Sequence, residues 1–179
     1  MRWHSASLRY GCVSVAAALV LAPLAVGAAP ITPAALLKDL EARGPKVVVE
    51  ELWNGAGWDD VLWHVRSGDA EWLRVAVALH AGTDAGSSET LALALGDALD
   101  RHAAAVLRIV APTFGTGEIC AGPDIDHFVA RDAYVAALDR RISAVSAIGE
   151  ADLAADRASC LSSLKEVRAH ILSPDGPFS

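Results

Sequence analysis

The sequence predicts an all-α protein of six to eight helices in antiparallel pairs, forming a helical bundle or a short helical array pinned by one disulfide. Three observations lead there. Apolar residues recur at i, i+3, i+4 and i+7 along most of the chain, the spacing of one buried helix face. Pro, Gly, Ser, Thr and Asp punctuate these stripes where helices begin and end. Beyond the leader the chain holds two cysteines, Cys120 and Cys160.

In chain order, residues 1–28 come first. Arg2 and Arg9 appear without an acid, and Val13 to Val26 is an almost unbroken Ala/Val/Leu run before Val26-Gly27-Ala28. This is the layout of a secretory signal peptide. An apolar run of about 14 residues is short of the roughly 20 that span a bilayer as a helix. Cleavage after Ala28 leaves one α-helical domain over 29–172 and a flexible tail over 173–179, exported to the periplasm or beyond, with no stable membrane insertion. Cys12 leaves with the leader. It precedes the apolar stretch rather than following it, so a lipoprotein reading fails.

Thr32-Pro33 reads as an N-cap with proline at the first helical position, and Gly44-Pro45 as a stop followed by a new start. The second helix carries Val47, Val48 and Val49, which favour a strand on propensity. Glu50 and Glu51 break the alternation a strand needs. Asn54 to Gly57 is a turn. Trp58, Val61, Leu62 and Val65 then form one stripe, and Trp72, Leu73, Ala76, Val77 and His80 the next, across a break at Ser67-Gly68-Asp69. Ser88 is the expected N-cap of the following helix, after a loop from Gly82. Whether that helix breaks near Asp100-Arg101-His102 or runs straight to Val110 stays open.

Pro112 to Pro123 reads as the longest non-helical stretch. Asp124 or Asp126 would cap the next helix, whose face is Tyr134, Leu138, Ile142 and Val145. The last helix turns Leu153, Cys160, Leu161, Leu164, Val167 and Ile171 inward. An oxidising compartment makes Cys120 and Cys160 a disulfide. Closing a loop of about 40 residues stabilises by roughly 4 kcal/mol on the chain-entropy model.

Trp72-Leu73-Arg74-Val75-Ala76-Val77 and Val106-Leu107-Arg108-Ile109-Val110-Ala111 are alike at a spacing of 34, which also aligns Val61 with Leu95 and Val65 with Leu99. On these apolar positions the middle third, residues 58 to 111, resembles HEAT-type helical repeats. The resemblance implies stacked two-helix units; an ordinary bundle accounts for the same stripes.

The whole chain carries a formal charge of −7; residues 1–28 hold two arginines and no acid, so the remainder stands at −9. That acidity argues against nucleic acid and anionic membrane and favours a basic partner, the alternative being that it serves solubility alone. Glycine loops for phosphate, catalytic elbows and H-E-x-x-H are absent from the sequence, so no cofactor is implied. The histidines after the leader stand singly. Glu118, Asp124, Asp126 and His127 share one polar segment and are weak candidates for a cation, although their spacing matches no calcium loop. Four tryptophans, Trp53, Trp58, Trp63 and Trp72, fall within twenty residues. Trp58 and Trp72 fit core stripes. Trp63 lies roughly 100° from Leu62, and Trp53 ends a helix. With Asp59 and Asp60 these two are the candidate partner-binding residues, the alternative for each being core.

Three function classes remain. The first is a non-enzymatic exported protein-binding domain, of which an inhibitor or immunity protein covering a basic enzyme is one form. The second is a small-ligand carrier or structural envelope protein, and the third an enzyme with an unrecognised site. An exposed acidic-aromatic patch points to the first and an enclosed apolar cavity to the second. Clustered carboxylates of raised pKa in a cleft point to the third.

Overall fold

A computed structural model describes residues 31–178. The expected leader and its cleavage site lie outside the described residues. Within them the protein is all-α, with nine α-helices, two short 3-10 turns and no strand.

Helix α1 (Pro33–Arg43) begins where the Thr32 hydroxyl accepts the Ala35 amide at 3.3 Å. Gly44, at φ 84°, ends α1 and lets α2 (Pro45–Asn54) start at once. The valine run is helical, with Val48 and Val49 buried and Val47 facing out. Helix α3 (Gly57–Arg66) buries the expected stripe of Trp58, Val61, Leu62 and Val65. Asp69 caps α4 (Ala70–His80), accepting the Glu71 amide at 2.9 Å. His80, expected in the core, is only half-buried and lies 4.0 Å from the Phe114 ring.

The next start differs from expectation. Asp84, not Ser88, caps α5 (Ala85–Ile109), because Asp84 and Ser87 satisfy each other's backbone amides in a capping box. Inside α5, His102 leaves helical geometry at φ −132°, ψ 38°, which settles the open question of a break there. Pro112 to Pro123 is not free of helix. It holds the single turns α6 (Ala111–Phe114) and α7 (Thr116–Ile119), separated by Gly115. These two turns bring the helix count above the six to eight expected. Asp124 caps a 3-10 turn, Ile125–His127, whereas α8 (Arg131–Ser146) starts after Ala130 with no side-chain cap. A second 3-10 turn, Ala151–Leu153, leads into α9 (Ala154–Leu172).

Contacts between successive units run at nearly constant offset. Trp58 meets Thr90 and Arg66 meets Asp97, so α3 lies parallel to the first part of α5. Asp97 meets Arg141, and Arg108 meets Asp152, which sets the same relation between α5 and the α8–α9 segment. Within the last unit the pairs Arg168–Asp139 and Arg157–Ile148 place α9 antiparallel to α8. Helix α5 therefore lies between α3 and α8, and the kink at His102 occupies the place that the Ser67–Asp69 turn occupies one unit earlier. The two features touch: Gly68 has φ +74°, and a Cβ there would fall 2.7 Å from the His102 ring.

Cys120, at the end of α7, and Cys160, in α9, are fully buried and form the expected disulfide, S–S 2.01 Å with Cα atoms 5.3 Å apart. The tail after α9 returns to the body, where the Phe178 ring lies 5.8 Å from that of Tyr134. No helix among the described residues is long and apolar enough to cross a membrane.

Candidate functional site

The outer face of α3 follows from its wheel. Its four core residues occupy one arc, and Trp63 projects from the far side with 66% of its surface exposed. The Trp63 ring meets His64 edge-on at 4.8 Å, and His64 stacks on Trp72 at 4.3 Å with planes 3° apart. Trp72 is buried, so the three rings run from core to surface. Asp59 is one turn before Trp63 and Asp60 is beside it. Both are exposed, and among the described residues neither has an ion-pair or side-chain hydrogen-bond partner.

The structure thus brings Asp59, Asp60 and Trp63 onto one face. Trp53 stands apart. It is 43% exposed and packs edge-on against Trp58 at 5.7 Å, while the Trp58 indole donates to Thr90 Oγ1 at 3.0 Å. Trp53 lines a separate shallow hollow with Lys46, Glu50 and Asp84.

Beside the α3 face lies a cleft of about 490 Å³. Leu93 of α5 is in its floor, Asp59, Leu62 and Arg66 form the α3 wall, and Arg140 and Arg141 stand on the α8 side. Asp124, His127 and Phe128 close one side. Tyr134 anchors that closing loop by donating to the Pro123 carbonyl at 3.0 Å. Burial raises the pKa of the Tyr134 hydroxyl, and the opposing pull of the Arg141 charge does not cancel it.

Arg141 holds the cleft together and was missed by the sequence reading, which turned Ile142 inward. In α8 the buried positions are Tyr134, Ala137, Leu138, Arg141 and Val145, the spacing i, i+3, i+4, i+7 and i+11; Ile142 is only half-buried. Arg141 is 2% exposed. Its Nε donates to Asp100 Oδ1 at 3.1 Å and its Nη2 to Asp97 Oδ1 at 2.9 Å. Arg66 donates to the other oxygen of Asp97 at 3.3 Å. The remaining nitrogen, Nη1, is buried without a partner. It lies against α5 where Gly96 supplies the room: a Cβ there would sit 3.1 Å from Nη1. A charged residue at a core-stripe position, with an i, i+3 acid pair elsewhere, is the signal that would have found this site.

The cation candidates are not gathered into one site. Glu118 reaches back to Ser88 at 3.5 Å. Asp124 accepts the Asp126 amide at 3.1 Å and lies 3.3 Å from His127 Nδ1. Among the described residues no three His, Cys, Asp or Glu side chains converge where a metal ion would be held.

No protein-family model, curated protein or solved structure matches the chain.

Proposed function

We propose that the protein is a non-enzymatic, exported protein-binding domain that engages a basic partner through the outer face of α3. The observation that carries this reading is Trp63: a tryptophan 66% exposed, edge-on to the His64 ring that stacks on Trp72, with the carboxylates of Asp59 and Asp60 next to it, unpaired among the described residues. A rigid aromatic with a polar edge is the residue type that anchors interfaces. Asp59 and Asp60 supply attraction for Lys or Arg, and the formal charge of −9 after the expected leader gives that attraction long range. An inhibitor or immunity protein that covers the active site of a basic enzyme is the form of this activity that best suits a small, acidic, disulfide-bonded domain. The adjoining cleft is open and charged, which suits a macromolecular segment better than an apolar small molecule.

The test is capture from native periplasmic extract with oxidised protein as bait, identified by mass spectrometry. One dominant basic partner, released at high salt, is expected. Trp63→Ala should weaken its binding about 30-fold, corresponding to a hot spot of about 2 kcal/mol, with circular dichroism and melting temperature unchanged. A partner held equally well by Trp63→Ala, or no partner at all, would overturn the assignment.

A further inference from the structure

Leu93 belongs to two concavities at once. One is the cleft of Arg141; the other is a shallower hollow that holds Glu89, Glu118 and Ala121. The two adjoin at Leu93, so the hollowed surface, called the trough below, follows α5 from Ala85 to Asp100, about 24 Å at 1.5 Å per residue. An extended segment of roughly seven residues, at about 3.3 Å each, fills that length.

The trough is electrically polar. Toward the start of α5 its carboxylates Asp59, Glu89 and Glu118 form no ion pair among the described residues, while Asp124, also in the cleft, faces His127 Nδ1 at 3.3 Å. Toward Asp100 the acids are spent, because Arg66 and Arg141 occupy Asp97 and Asp100. Among the described residues Arg140 has no acid partner; its guanidinium donates to the Ala136 carbonyl at 3.3 Å. Arg141 is almost wholly buried on the α8 side, its Nη1 packed against Gly96 of α5 and turned away from solvent.

We infer that this trough binds an extended peptide segment in one direction, basic side chains over Asp59 and Glu89 and a carboxylate at Arg140. Charge complementarity at both ends selects that occupant: a uniformly basic segment meets Arg140, and a uniformly acidic one meets the carboxylates. The inference rests on the protein-binding reading and gives it a direction and a partner chemistry.

The test is calorimetric titration of the oxidised protein, at low ionic strength, with three unlabelled heptapeptides. They are Lys-Lys-Ala-Gly-Ala-Gly-Ala with a free carboxyl terminus, the same peptide amidated, and the reversed sequence Ala-Gly-Ala-Gly-Ala-Lys-Lys with a free carboxyl terminus. The first should bind at least tenfold more tightly than either of the others. Arg140→Ala, at an exposed position, should erase the difference between acid and amide. Asp59→Asn should weaken both by a similar factor. Equal binding of acid and amide, a difference that survives Arg140→Ala, or no binding of any heptapeptide would overturn the inference. In the last case a Trp63-dependent partner captured from extract would leave the protein-binding reading standing. Conversely, directional heptapeptide binding would sustain the trough even if no captured partner depended on Trp63.

Discussion

Arg141→Met is the perturbation that most directly examines the junction of α5 and α8. Methionine keeps much of the arginine stem, so the change removes charge and hydrogen bonds more than volume. Arg141 is 2% exposed, whereas the side chains of Asp97 and Asp100 are 46% and 32% exposed. Removing one member of a fully buried pair costs about 3–5 kcal/mol because the other charge is stranded. Here the stranded acids reach water and Asp97 keeps Arg66, which lowers the expected loss to about 2–3 kcal/mol. At about 2–4 °C per kcal/mol for a domain of this size, the melting temperature should fall by about 4–12 °C. Urea unfolding of Arg141→Met, Asp100→Asn and the double variant measures the coupling, expected at about 1–2 kcal/mol. A methionine variant as stable as the parent, or a coupling within error of zero, would refute the assignment of Arg141 as the tie between α5 and α8.

Cys160→Ser should lower stability by about 3–4 kcal/mol in urea unfolding, the entropy of closing the loop between Cys120 and Cys160; native protein in which both cysteines react with a thiol reagent would contradict the bond itself. Gly68→Ala should cost about 1–3 kcal/mol, since φ +74° is unfavourable for a residue with a Cβ and that Cβ points at His102; unaltered melting would show that the turn and the kink do not bear on each other. Acid should weaken the fold through Asp39, Asp84 and Asp139. Each has a folded pKa below the ordinary value of 3.8, through hydrogen bonds from Arg43, Ser87 and Arg168 respectively. A depressed pKa adds stability that is present above the ordinary value and lost as pH falls through the folded one. Melting temperature should therefore drop below about pH 4, and Asp84→Asn should make that drop shallower; an identical acid profile would show that the cap does not contribute.

The parts of the fold legible in the sequence were those set by short-range chemistry. Thr32-Pro33, Gly44-Pro45 and Asp69 act locally, so their residues alone locate the ends of α1, α2 and α4. Helical period set Trp63 off the stripe of its four neighbours but left core and surface both open for it; the structure exposes it. Errors arose where two residues offered the same local service. Asp84 and Ser88 are both acceptable caps, and the choice was made by Ser87, whose hydroxyl completes the box with Asp84. Arg141 was illegible for a different reason. Ile142 is the more hydrophobic of the two adjacent residues, and only the acids presented by α5, together with the missing side chain at Gly96, make arginine the one that turns inward.

Those same contacts explain why the trough has a defined width. Its floor is one helix, and each wall is fastened to that floor. Helix α3 is held through Trp58–Thr90 and Arg66–Asp97, and α8 through Arg141 to Asp97 and Asp100. Asp97 takes part in both fastenings, one oxygen for each wall, and the buried stripes of α3 and α8 pack on α5 beneath it. Outward side chains such as Trp63 and Arg140 then stand on walls that are already in place. Binding to such a surface orders few groups that were not ordered before, and the free energy of contact is not consumed in assembling the site. The cost is a buried guanidinium with one nitrogen left over, packed against Gly96 of α5.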